Sequence, residues 1–595
     1  MKGCYIMSDS TTQSYLKRVS IFLEDNEWEK ADEYCEKTLD VNPECSEAYV
    51  GKILVEFNCS SLEVLFDSGK EFEKSVHYKR IMEFGDEALK ERFQNAIPER
   101  GYRKAKRQEE IIEQSKKESQ FIIETRLKDM YIDIIETYAS LEDYKDSEKL
   151  KQNSIQNMLL KAEDILQNKL YDTASEFFEY LSRYENVENQ IAKCNVGKNE
   201  LKKVREAYAV RAARKTIAIS SYHSVGIKSG GKVIATKDRD PGLCHYLGDL
   251  DDGSVGIITC KDKSYERQRR TCERAKRWSD IVAIDANSDY ILGLKSDGTV
   301  ITTSEDYGKR DVRKWEDIIA ISAGRYHCVG LKKDGTVVST KVWDKKNDDG
   351  QTKVGGWKDI ISVYAYGEIT VGLKSDGKVV CNKNVYEDWR DIVAISVDTG
   401  LRADGKLLKV SDYSGETRIV EGCWENIIEF VSSVGVVALQ NNENSSVISE
   451  HGITRLDEWS EVSSLAVGGV SWLGLKKDGT VLFFEVGDKH HGKQNVKNWT
   501  NIAQPPTVKT FEELFRLEVV RAEENKKKLE QEKLAKSLEK EKRLVKEKEA
   551  QEKEAQKKAE LRAEYMRQGL CQNCGGKFKG FFTKVCTHCG QIKDY

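Results

Sequence analysis

Apolar positions along the chain fall into three regimes. In residues 9–205 they recur at helical spacing. Tyr15, Leu16, Val19, Phe22 and Leu23 mark one face of a first helix at i, i+3/i+4 and i+7. Ala31, Cys35 and Thr38 mark a second, Pro43 stops it, and Tyr49, Ile53, Val55 and Phe57 open a third. The charged stretch 101–127 predicts one long connecting helix. From 206 to 503 the pattern changes to short apolar runs separated by Gly and Asp, which is the pattern of strands and turns. After Pro505-Pro506 it becomes helical again but polar all round: 26 of residues 521–562 are charged, mixed in sign, without Pro or Gly. Leu529, Leu534, Leu538 and Leu544 do not sustain a heptad, so one solvated helix with Glu/Lys pairs at i, i+4 is expected ahead of a coiled coil.

Tryptophan sets the register of the middle region. Trp278-Ser-Asp280-Ile281 leads to Leu292-Gly-Leu-Lys-Ser-Asp297-Gly298, and Trp315-Glu-Asp317-Ile318 to Val329-Gly-Leu-Lys-Lys-Asp334-Gly335. Trp357, Trp389, Trp424 and Trp459 open further units, and Trp499-Thr-Asn501-Ile502 opens a truncated one. The intervals are 37, 42, 32, 35, 35 and 40 residues. A period near 40 with several short strands per unit predicts β-propeller blades. Asp-Gly predicts a type I′ turn with φ > 0 at both residues. The Gly of Val-Gly-Leu is expected to let neighbouring blades approach, and Trp to wedge between them. Ile217-Ala-Ile-Ser220, Val225-Gly-Ile-Lys228 and Gly230-Gly231 form one more unit, without its Trp. The two incomplete units are expected to complete one blade, making seven and leaving no open sheet edge.

Two resemblances follow from these residues. Ser322-Ala-Gly-Arg-Tyr-His327-Cys-Val-Gly-Leu-Lys-Lys-Asp-Gly-Thr-Val and Tyr307-Gly-Lys-Arg-Asp-Val-Arg-Lys-Trp315 resemble RCC1-type (regulator of chromosome condensation) repeats in their short bacterial form. The resemblance covers about residues 206–503. It departs from the family in lacking the terminal Trp-Gly pair and in the clipped unit at Trp389. It implies a propeller and, by analogy, guanine-nucleotide exchange on a small GTPase, although no wedge for that activity is found. Ala31, Cys35, Thr38 and Pro43 are similar to the second helix of a tetratricopeptide repeat. Leu141…Tyr144…Ser147 and Leu181…Tyr184…Val187 echo each other, and Ala174, Phe177 and Phe178 fit another helical hairpin. Stacked hairpins leave a groove that binds peptide or serves as spacer and packing surface.

The chain has 595 residues, with 96 Lys+Arg against 100 Asp+Glu, a balance that does not suit a protein coating nucleic acid along its length. Five prolines exclude a collagen-like or Pro-rich chain, and no apolar run has the roughly 20 residues a membrane helix needs. Residues 1–10 do not read as a signal peptide. Eleven of the 15 cysteines are scattered, as expected of reduced thiols in the cytoplasm.

The other four form Cys571-x-x-Cys574…Cys586-x-x-Cys589, a spacing that closes a tetrahedral shell around one structural Zn²⁺. The glycine after each pair lets backbone N–H groups face the sulfurs, and His588 is expected to be a bystander. The insertion at 237–277 carries Arg267, Arg269, Arg270, Arg274, Lys276 and Arg277, a patch suited to acidic protein or nucleic acid, or simply a solvated face. No P-loop, HExxH, Gly-x-Ser-x-Gly or dinucleotide fingerprint is present, and His327 and His490-His491 do not converge on a nucleophile.

The fold class expected is multidomain α plus all-β. Its segments are helical hairpin repeats (9–205), a seven-bladed propeller (206–503), a long charged helix or coiled coil (504–568) and a small zinc ribbon (569–595). The function expected is a non-enzymatic, cytoplasmic scaffold that binds proteins, with no membrane partner. The alternatives are a GTPase regulator, or a nucleic-acid-binding protein acting through the basic insertion and the ribbon.

Overall fold

The computed structural model describes all residues except Met1, 118–123, Asp143, Tyr222, 237–243, 250–254, 261–269, 288–289, 305–307, 343–344, Asn384, 412–414, Val434, 451–455, 487–492, Thr583 and 594–595. Arg267, Arg269, His490 and His491 therefore lie outside the described residues. The chain divides into two compact units, Met1–Phe511 and Glu512–Tyr595.

The first unit opens with ten helices: α1 (Lys2–Glu24), α2 (Trp28–Val41), α3 (Ser46–Glu56), α4 (Leu62–Asp67), α5 (Val76–Phe84), α6 (Glu87–Lys117), α7 (Glu124–Ser140), α8 (Ser147–Gln167), α9 (Tyr171–Leu181) and α10 (Glu188–Ala212). Ala31, Cys35 and Thr38 are fully buried. A Cβ at Gly51 of α3 would stand 2.9 Å from Val19 of α1, so small residues do set this helix spacing. The repeated Leu…Tyr motif falls on two equivalent turns, α7–α8 and α9–α10. The stretch 101–127 is not one connecting helix. It belongs to α6 and α7, which pack on each other through Ala105, Ile112, Leu127 and Tyr131. Within the stretch, Ala105, Ile112 and Leu127 stand among many charges, yet all three are buried.

Seven antiparallel meanders of three or four strands follow. Their first strands are Ile217–Ile219, Ile281–Asn287, Ile318–Ala323, Ile360–Tyr366, Ile392–Ile395, Ile427–Ser432 and Val462–Gly468. No strand is shared between meanders; they meet through side chains and through single backbone bonds between the turn glycine of one and the start of the next, as from Ile318 N to Gly298 O at 3.1 Å and Ile360 N to Gly335 O at 3.0 Å. The strand Ile217–Ile219 packs against both Ile281–Asn287 and Val462–Gly468, the first strands of the second and last meanders. The insertion holds a further hairpin, Cys244–Asp249 with Val255–Cys260.

Two local expectations are corrected. Asp297 does not take positive φ; only Gly298 does, at 80°. Gly298 N donates to Lys295 O and Lys295 N to Thr299 O, which gives a three-residue loop, a type I turn ending in a left-handed glycine. Asp297 Oδ1 accepts from Thr299 N and Oγ1, which fixes Asp297 in the turn instead of the left-handed region. The strand glycine is also not a contact between blades. A Cβ at Gly293 would stand 2.9 Å from Trp278 Cζ3, and one at Gly330 2.9 Å from Trp315. These rings press on the middle strand of their own meander, and the glycine makes room for them, as Gly372 does for Trp357, Gly400 for Trp389 and Gly474 for Trp459. The left-handed residue that a Cβ makes costly is the one after Trp-x: Asp280, Asp317, Asp359, Asp391, Asn426, Glu461 and Asn501 all have φ between 53° and 63°.

Helices α9 and α10 dock on the meanders. Arg205, 1% exposed, donates to Ile392 O at 2.8 Å and pairs with Asp172 at 2.9 Å. Asp391 accepts from Asp172 N, Thr173 N and Thr173 Oγ1 at 2.6–3.0 Å. It thus caps α9 from another part of the chain, where the helix's own flanking residue, Leu170, cannot. Burial, and then the charge of Asp172, push the Asp391 carboxyl up to about 6. A raised carboxyl binds its proton more tightly folded than unfolded. Its share of stability therefore falls as pH rises from about 4 to 6 and is flat above. Asp391→Asn should remove that segment from the melting-temperature profile, whereas an unchanged profile would separate Asp391 from it.

The second unit is formed by the helix Phe511–Arg567 from Glu512 onward and a hairpin, Phe578–Lys579 with Val585–Cys586. The helix carries i, i+4 ion pairs such as Arg543–Glu547 and Lys558–Glu554. Leu534, Leu538 and Leu544 are exposed.

Candidate functional site

The first strands of the meanders enclose a cavity of about 450 Å³ in the first unit. One repeat position, four residues after the Ile or its equivalent, supplies its wall: Ser220, Asp285, Ser322, Tyr364, Ser396, Val431 and Ala466. One end is stoppered by the last turn of α10. There Tyr208 Oη bonds Ile427 O and Arg211 bonds Ser463 O, and just beyond the helix Arg214 donates to Ile319 O at 2.6 Å. At the other end the hairpin residues Gly367, Ser433 and Gly469 line an open mouth.

The polar groups of the cavity mostly tie one meander to the next. Asp285 accepts from Ser322 Oγ at 3.0 Å and Ala323 N at 2.9 Å, and Ser322 Oγ in turn accepts from Ala365 N at 3.0 Å. Glu429 accepts from Ser464 Oγ and Leu465 N and pairs with Arg211 at 2.8 Å. Lys215 Nζ lies 4.6 Å from the centre of the Tyr364 ring. Burial works against this ammonium, but Tyr364, Asp285 and Glu429 outweigh it and hold its pKa above the usual lysine value. His327 is fully buried with Nε2 2.7 Å from Thr370 Oγ1, and burial followed by the charge of Lys309 drives its pKa down to about 4. It is a buried residue packed within its repeat. The wall residues were not singled out from the sequence. The column lies seven residues after each Trp that opens a meander, so aligning the units residue by residue exposes it.

In the second unit the four predicted cysteines come together. Their sulfurs all lie within 4.8 Å of one another, with Cys571–Cys589 at 3.7 Å and Cys574–Cys586 at 3.4 Å. A tetrahedral shell with metal–sulfur bonds of about 2.3 Å has edges of about 3.8 Å. Two matching turns present the sulfurs: Gly575 N donates to Cys571 O and Gly590 N to Cys586 O, with both glycines left-handed at 72° and 74°. A Cβ at Gly576 would stand 2.8 Å from Cys586 Sγ, so the glycine makes room for the cluster. The N–H groups of Cys589 and His588 lower the Cys586 thiol to about 6. At Cys574 the Gly576 N–H favours the thiolate, but sharing protons with Cys586, Cys589 and Cys571 carries the pKa up to about 12. Four thiolates so close need a cation to ionise together, so the donor set fits a thiophilic metal ion. His588 packs over Gly576 and is not one of the cluster.

No family model and no curated protein matches this chain. Among solved structures it is similar to the CRINKLY WD40 ectodomain of the Arabidopsis thaliana receptor kinase ACR4, at 13% identity and TM-score 0.28, over 46% of this chain and 96% of that one. Prp20p of Saccharomyces cerevisiae matches at 13% identity and TM-score 0.25, over 49% and 76%. Human WBSCR16 matches at 13% and 0.23, over 50% and 81%.

Proposed function

We propose that the chain is a non-enzymatic scaffold whose seven meanders form a closed propeller and whose open propeller face binds another protein. For closure, the support is that Trp499 occupies the first meander as each other Trp occupies its own: a Cβ at Gly226 would stand 2.9 Å from Trp499. Ile502 bridges to Lys228, Ala503 N donates to Ile227 O, and Ser229 N to Asn501 O.

For recognition, one observation carries the reading. One propeller face is occupied by α9 and α10, while the other, around the cavity mouth, presents exposed Tyr366 and Val470 beside Arg325 and Glu368. Aromatic and Arg side chains around a recess are the composition of protein interfaces. The polar wall groups are engaged between meanders, which supports a structural axis and not a reactive one. The cysteine cluster fits one structural zinc, with all four positions filled by protein.

The test is a photo-crosslinking residue placed at 366 and, as control, at exposed Leu160 of α8. Crosslinks to a defined protein should form at 366 alone. Tyr366→Ala with Val470→Asp should weaken that complex about 30-fold or more at unchanged melting temperature. Equal crosslinking at both positions, or unchanged affinity, would sink the reading.

A further inference from the structure

Between its two cysteine pairs, the ribbon displays two neighbouring aromatic rings that none of the described residues covers. Phe581 is 97% exposed and Phe582 94%. Apolar residues of this size are seldom left wholly in water without a partner. The loop is held from both sides: the strands Phe578–Lys579 and Val585–Cys586 pair below it, and Thr587 N donates to Lys577 O. The rings meet edge-on, with centres 6.0 Å apart and planes at 60°. One ring does not cover the other, so each keeps a face open for stacking. Lysines alternate with the rings along the sequence Lys577-Phe578-Lys579-Gly580-Phe581-Phe582-x-Lys584, and all three are exposed.

We propose that this loop binds single-stranded nucleic acid, with bases stacking on Phe581 and Phe582 and phosphates meeting Lys577, Lys579 and Lys584. Alternation of cation and ring matches a strand whose phosphates and bases also alternate, and stacking on a ring face is tolerant of base identity. A tip built to insert into lipid would cluster its apolar groups and set the cations behind them. Here a lysine lies two residues from each end of the ring pair. The proposal is independent of the propeller face.

The experiment uses the full, metal-loaded chain and labelled 12-nucleotide RNA and DNA of mixed sequence, read by fluorescence anisotropy. Binding should weaken with salt with a log–log slope of about −2 for three phosphate contacts. Phe581→Ala with Phe582→Ala should weaken it about tenfold or more per ring, with metal content unchanged, and Lys579→Gln with Lys584→Gln should flatten the slope. Because both rings are exposed, loss of binding in the double variant is not loss of fold. Unchanged binding in that variant overturns the proposal. So does binding to vesicles of phosphatidylserine and phosphatidylcholine without binding to either oligonucleotide, or binding to none of the three.

Discussion

Deleting Trp499–Ala503 is expected to lower the melting temperature of the first unit by more than about 10 °C. These five residues are a small fraction of the chain, but two of them are core: Trp499 is 5% exposed and Ile502 2%. They pack with Ile217, Ile219, Leu473 and Leu475, joining the first and last meanders in one cluster. Truncating a buried Trp costs about 3–5 kcal/mol and a buried Ile about 2–5 kcal/mol. In a large domain each kcal/mol moves the midpoint by about 2–4 °C. The deletion also exposes Gly226, with no Cβ to cover the hole, and unpairs the Ile227 and Lys228 backbone. Trp499→Ala alone should give roughly half the effect. Calorimetry showing a change of 1–2 °C for the deletion would mean that the segment is peripheral.

Replacing Cys571 by Ser should release the metal and unfold the ribbon while leaving the first unit's melting untouched. The hairpin has two short strands and almost no apolar core; Cys571 and Cys586 are themselves its buried side chains. In such a module, metal binding supplies most of the folding free energy, of the order of 10–16 kcal/mol at neutral pH. Elemental analysis should find about one zinc per wild-type chain and none in the variant. Amide exchange over 571–593 should collapse to the unprotected rate in the same variant. A metal-free chain whose ribbon stays protected would contradict the structural role.

Much of this architecture was legible because a few residues do one job repeatedly. Trp needs room on the middle strand, and a residue with no side chain there leaves the most, so Trp and Gly recur together. Where the pattern breaks, the same geometry absorbs the change. Ala438 lies in the core that holds Trp424, in the strand that carries glycine elsewhere. The turn type was misread because Asp-Gly satisfies two loop lengths. The choice between them rests on the Thr299 contacts of Asp297, which lie beyond the dipeptide. The stretch 101–127 misled because charge density hides how few apolar residues a helix pair needs. The axial wall escaped notice because Ser, Asp, Tyr, Val and Ala at one column share a position, not a chemistry. The cysteine cluster was plain from spacing alone, since four soft ligands in two short turns have few other uses. The exposed Phe581-Phe582 pair gave no such signal, because sequence does not show which aromatic residues a small ribbon fails to bury.

The central claim is that residues 499–503 complete the first meander and close the proposed propeller. Hydrogen exchange read by mass spectrometry tests it without altering the protein. If the ring is closed, amides in the peptide 499–503 and Ser229, whose N–H bonds Asn501 O at 3.0 Å, exchange as slowly as those of the interior segment 315–319. Complete exchange of 499–503 within seconds, with 315–319 protected, would show an open ring and contradict the account.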